Sequence, residues 1–175
     1  MSKTRLILTA KYTIYALVLL MLYVLQTTPG LFVNFNAGPI LVIPAAIAIA
    51  MCEGELTGGF YGAFAGLLWD DMTGRLLFGF HGLFTAFFCI VAGLLVIHLM
   101  HCNFRNAMLF VAVAMLATGS LEFFFGYGMW GHENVWMVYV FHTLPTIAYT
   151  IIVTPLLFWM MRKIYRKCQK SLERD

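Results

Sequence analysis

Asp70 and Asp71 are adjacent carboxylates, and paired acids can divide proton transfer between them or hold a cation. Successive residues on a helix point about 100° apart, so this pair forms no joint clamp, and no second acidic cluster accompanies it in the sequence. Glu122 lies inside the apolar run Gly119-Ser-Leu-Glu-Phe-Phe-Phe. An acid within a membrane span is costly and normally faces the protein interior. Arg75 follows Asp70 by five residues, and His142 opens the last apolar stretch. Asp70, Arg75, Glu122 and His142 are therefore expected to converge in one half of a helix bundle. Two readings stay open for them, a polar pocket or proton site and a salt-bridged lock between helices. The lock is favoured, because buried acids are normally paired and a lock needs no substrate. His98 and His101 share a helix face and Cys102 follows them, but a metal site needs a further ligand. No Walker, Gly-x-Ser-x-Gly, His-Glu-x-x-His or Cys-x-x-Cys-His motif occurs. The expectation is a chain that is not an enzyme, with no catalytic residue, no metal and no cofactor.

The element that positions Asp70 carries its own signal. Gly58, Gly62, Gly66 and Asp70 recur every four residues, and positions four apart stack on one helix face. Three glycines make a groove without side chains, closed at one end by a carboxylate. In water each glycine weakens a helix by about 1 kcal/mol, whereas in a bilayer the same stripe lets a second helix approach closely. The stretch is thus expected to be a packing face, either for another helix of the same chain or for a partner's transmembrane helix.

Composition settles the solvent. Of 175 residues, 62% are hydrophobic and 11% charged, against about 25% charged in a soluble domain. Mean hydropathy is +0.85. The chain reads as one polytopic membrane domain over residues 1–175, with a short basic tail. Expected spans run from about Tyr12 to Gln26, Pro39 to Cys52, Leu56 to Trp69, Leu77 to Leu99, Ala107 to Gly128 and Val138 to Met161. The second and third are shorter than the roughly 20 residues a span requires. They either cross, giving six spans, or form a dipping hairpin, giving four, and six is favoured. Pro145 and Pro155 are expected to kink the last span.

Nine of the eleven Lys and Arg lie at the chain ends, with Lys3, Arg5 and Lys11 before the first span and six from Arg162 to Arg174 after the last. The positive-inside rule then puts both termini in the cytoplasm. The basic tail reads as a solvated segment near anionic lipid headgroups rather than a nucleic-acid contact. Cys52, Cys89, Cys102 and Cys168 form no Cys-x-x-Cys pair, and no disulfide is expected.

The central run Gly62-x3-Gly66-Leu67-Leu68-x-Asp70, followed by Gly74 and Gly79, resembles the core motif of the rod shape-determining membrane protein MreD family. The ending, with Pro145, Pro155-Leu156-Leu157 and Met161-Arg162-Lys163, is similar to how that family ends. The resemblance implies an all-α fold of six transmembrane helices like the substrate-binding subunits of energy-coupling-factor transporters. It implies a non-enzymatic subunit of the bacterial elongation machinery in the inner membrane. The implied partners are MreC, with RodA, the elongation transpeptidase and the MreB filament. A partner helix would then be the favoured occupant of the glycine face. The competing expectation is a vitamin-uptake subunit with an outward-facing pocket.

Overall fold

The helix α2 (Val42–Glu53) is apolar on every side, and a helix with no polar face has to be enclosed. In the computed structural model, which describes residues 2–28, 39–73, 79–100, 102–126 and 143–172, every residue from Val42 to Met51 is buried. Five helices surround α2: α1 (Ser2–Thr27), α3 (Glu55–Thr73), α4 (Phe80–His98), α5 (Phe104–Gly126) and α6 (Leu144–Leu172). No strand occurs among the described residues. Ala45, Ala46, Ala48 and Ala50 let the neighbours come near, which is how helices pack where lipid removes the hydrophobic drive.

The helices alternate in direction. At one end of the bundle the Lys11 ammonium lies 5.5 Å from the Tyr165 ring and bonds Glu53, joining the early part of α1 to the ends of α2 and α6. At the other end Leu41 N–H donates to Gln26 Oε1 at 2.7 Å, and Ile40 N–H donates to Thr150 Oγ1 at 3.0 Å. These two bonds tie the entry of α2 to the last turn of α1 and the early part of α6. The start of α1 and the end of α6 therefore share one end of the bundle.

Gly54 alone connects α2 to α3. Its φ of 98° is open to glycine but strained for other residues. Its N–H closes the end of α2 on Ala50 O at 3.0 Å, and its carbonyl accepts the Gly58 N–H at 2.9 Å, so one residue ends one helix and starts the next.

Among the described residues four helices, α1, α4, α5 and α6, are long and apolar enough to cross a membrane, which marks a multi-pass membrane protein. α2, with 12 residues, is only about 18 Å long against a hydrocarbon core of about 30 Å. Two expectations need correction. α1 begins at Ser2, so Lys11 lies inside the first helix rather than ahead of it. α6 places Pro145 in its first turn, where no intrahelical N–H bond is lost, leaving Pro155 as the proline inside the helix.

Candidate functional site

The glycine stripe of α3 faces α4. A Cβ at Gly66 would stand 2.6 Å from both Cα and N of Gly82 and would also strike the His81 carbonyl oxygen. At Gly62 it would meet Cys89 Cβ and Sγ at 2.8 Å and Thr85 O at 3.0 Å. Gly93 answers from α4, where a Cβ would fall 2.7 Å from Glu55 N. Gly58 turns the same stripe toward α2, where a Cβ would overlap Ala50. At Gly66 and Gly93 these contacts are with backbone atoms, and at Gly58 and Gly62 they include backbone or Cβ atoms that a rotamer change does not move. Of the two occupants open for Gly58, Gly62 and Gly66, the structure has the protein's own helices. The expectation of a partner helix in this groove is corrected accordingly, since α2 and α4 leave no width for a third.

Asp70 completes the α3–α4 contact. The first turn of α4 has N–H groups without intrahelical acceptors, and Gly79, its N-cap, has no side chain to supply one. Asp70 reaches across instead. Its Oδ2 accepts the Gly79 N–H at 2.9 Å and the Gly82 N–H at 3.2 Å, and its Oδ1 accepts the His81 N–H at 3.2 Å. A carboxylate at a helix N-terminus also meets the positive end of the helix dipole. Oδ1 is 2.6 Å from His81 Nδ1, with the side chains 4% and 8% exposed. With the carboxylate ionised, Nδ1 is the nitrogen that carries hydrogen and donates. The Trp69 ring stands edge-on to the imidazole at 6.4 Å. Asp71, on the next face, is exposed and accepts the Tyr23 hydroxyl at 2.8 Å, which ties α1 to the end of α3.

Of the four residues expected to converge, Asp70 is placed by the structure, and its partners are a helix terminus and His81. Arg75, His142 and the side chain of Glu122 lie outside the described residues, as do His101 and the aromatic residues Trp130, Trp136 and Tyr139. No group of three or more His, Cys, Asp or Glu fit to hold a metal occurs among the described residues.

A second polar cluster escaped the sequence reading. Lys11 Nζ lies 2.6 Å from Glu53 Oε2, and the two side chains are 5% and 6% exposed. The Tyr15 hydroxyl donates to Glu53 Oε1 at 2.7 Å. The Tyr61 hydroxyl donates to Tyr12 O at 2.8 Å, and the Tyr15 and Tyr61 rings meet edge to face at 5.8 Å. Lys11 is thus a buried partner of Glu53 and no free topogenic charge. The available signal was its position within an apolar run, six residues after Arg5, on the helix face shared with Tyr15. Glu53 ends an otherwise apolar helix and needed a cation, but no spacing rule links residues that are 42 positions apart.

Near Glu53, Cys52 Sγ is 4.0 Å from Cys102 Sγ, in the link between α4 and α5. All four cysteines are free thiols. Cys102 is lowered from 9.0 to about 7, first by the hydrogen bond from Cys52 and then by the positive charges of Arg162 and Arg166.

Among the described residues, the buried carboxylates Asp70 and Glu53 hold helices together. Asp70 joins α3 to α4 near one end of the bundle, Glu53 joins α2 to α1 near the other, and the glycine stripe runs between them. No family model, no curated protein and no solved structure matches this chain.

Proposed function

We propose that this chain is a non-enzymatic scaffold subunit of the bacterial cell-elongation complex, of the MreD type. It would sit in the inner membrane with both termini in the cytoplasm and support lateral peptidoglycan synthesis through association with an MreC-like protein. The observation that carries the reading is the use made of the Gly62–Asp70 stretch, the part of the chain closest to the family motif. Its glycines seat α3 on the α4 backbone, and its acid caps α4. A contact of this kind fixes the shape of a bundle, and a scaffold needs a fixed shape to present to its partners.

In this reading all six helices cross the membrane, as in the substrate-binding subunits of energy-coupling-factor transporters, with α2 shielded from lipid by its neighbours. α6, with 29 residues, is about 44 Å long and outruns the hydrocarbon core by about 14 Å, or two to three turns. Its basic end carries Lys163 4.7 Å from the Trp159 ring, a pairing suited to the headgroup region. The glycine groove being filled, an MreC-like partner would dock on the outward faces, where Leu17, Met21, Leu83 and Phe87 are exposed.

Co-purification tests the proposal. The tagged chain, expressed with a single-span MreC-like protein and extracted in mild detergent, should retain that partner. Failure to retain it, together with tight binding of a vitamin to the purified chain, would replace the scaffold reading with that of an uptake subunit.

A further inference from the structure

We propose that Cys52 and Cys102 form a peroxide-oxidisable dithiol that staples the end of α2 to the α4–α5 link. Neither the glycine contact nor the scaffold reading uses these thiols, and the inference stands apart from both.

The pair stands on position. The sulfurs are 4.0 Å apart, although the residues are 50 positions apart in the chain. A disulfide needs about 2.05 Å, so the sulfurs must close by about 2 Å. Cys102 can supply that movement, because residues 102 and 103 are non-helical and only partly packed. Cys52 is the penultimate residue of α2 and is itself incompletely buried. A small oxidant can therefore reach the pair. Cys89, by contrast, is fully enclosed against Gly62 in the middle of α4, which leaves it inert.

The charges around the pair assign the roles. The hydrogen bond from Cys52 and the positive charges of Arg162 and Arg166 on α6 favour the Cys102 thiolate, which leaves the proton on Cys52. A thiolate beside cationic side chains is the nucleophile, and its protonated neighbour is the resolving thiol. The Cys102 thiolate attacks one oxygen of hydrogen peroxide. The O–O bond breaks, the departing hydroxide takes a proton from solvent and leaves as water, and Cys102 becomes a sulfenic acid. Cys52 sulfur then attacks the sulfenic sulfur. The S–S bond forms, the S–O bond breaks, and hydroxide leaves as water with the Cys52 proton. The two electrons lost by the pair reduce one peroxide, and a small dithiol restores the starting state by exchange.

The test uses the full chain in detergent micelles at pH 7, treated with hydrogen peroxide, blocked with N-ethylmaleimide, digested and read by mass spectrometry. The expected product is a Cys52–Cys102 linked peptide, lost on addition of dithiothreitol, with Cys168 alkylated. Arg166→Gln, a change at an exposed side chain, should slow formation of the link several-fold, and Cys102→Ser should leave Cys52 alkylated. A Cys52–Cys168 link, a link between two copies, or Cys102 passing to sulfinic acid with Cys52 still alkylated would each overturn the proposal. So would an Arg166→Gln variant that forms the link at the unchanged rate.

Discussion

Gly66→Ala adds one methyl group at the tightest point of the α3–α4 contact. The new Cβ would stand 2.6 Å from Gly82 Cα and N and nearer still to the His81 carbonyl oxygen, whereas ordinary contact begins at 3.4 Å, so α4 must retreat by at least about 0.8 Å. That retreat also loads the Asp70 cap. The Gly82 N–H bond, now 3.2 Å, would stretch to about 4.0 Å and cease to be a hydrogen bond. Overpacking costs about 1–3 kcal/mol, and losing one bond to a charged acceptor adds about 1.5 kcal/mol. The expected destabilisation is therefore about 2.5–4.5 kcal/mol. Gly82→Ala serves as the internal control. Its Cβ would meet the Leu67 side chain at 3.2 Å, and that side chain can turn aside, so the cost should stay below about 1 kcal/mol. The assay is reversible unfolding of the purified chain in mixed micelles titrated with a denaturing detergent. A Gly66→Ala variant within about 0.5 kcal/mol of the parent, or one less damaged than Gly82→Ala, would refute the close-contact argument.

Lys11→Met should cost about 3–5 kcal/mol, because it leaves the buried Glu53 carboxylate without its cation, and Lys11→Met with Glu53→Gln should recover most of that. Losses that simply add, with the double variant costing the sum of Lys11→Met and Glu53→Gln measured alone in the same unfolding assay, would show that the pair is not coupled. Thr85→Val should be neutral or stabilising by about 1 kcal/mol, since Thr85 Oγ1 is buried without a hydrogen-bond partner among the described residues and valine keeps its shape. A clear loss of stability would mean that the hydroxyl has a partner. The Cys102 thiol should react with iodoacetamide along a pH curve centred near 7, because its lowered pKa makes the thiolate abundant above that pH and scarce below it. At pH 7 the rate should be about fivefold that of a model thiol, the gain in thiolate outweighing its reduced nucleophilicity. A midpoint near 9 would remove the argument that Arg162 and Arg166 act on it.

The glycine stripe was legible because its period of four matches the helix, and the Gly58–Asp70 face is the surface α3 turns to its neighbours. Asp70 was expected to take part in a salt-bridged lock between helices or a polar pocket, and it caps the N-terminus of α4. Its imidazole partner was missed because His81 lies in the next helix, and sequence offers only proximity along the chain, which pointed to Arg75. The enclosed character of α2 was foreshadowed by its short, uniformly apolar run. Lys11 was misjudged for a related reason. A basic residue near the N-terminus reads as a topology signal, and only the fold shows Glu53 waiting for it. The start of α1 at Ser2 moved that lysine two turns into the helix. Pro145 and Pro155 looked equivalent as letters, yet a proline in the first turn costs nothing and one in the interior does. Cys52 and Cys102 share no local motif, so their approach is a property of the bundle alone.

The scaffold reading meets its most direct test in the partner measurement. The tagged chain and an MreC-like single-span protein are co-expressed, extracted in mild detergent and passed over a size-exclusion column. The account predicts that they elute together at a fixed ratio. It predicts also that Gly66→Leu, which wedges α3 from α4, lowers the yield of that complex. Separate elution of the two proteins, or an undiminished yield of complex with Gly66→Leu, would contradict it.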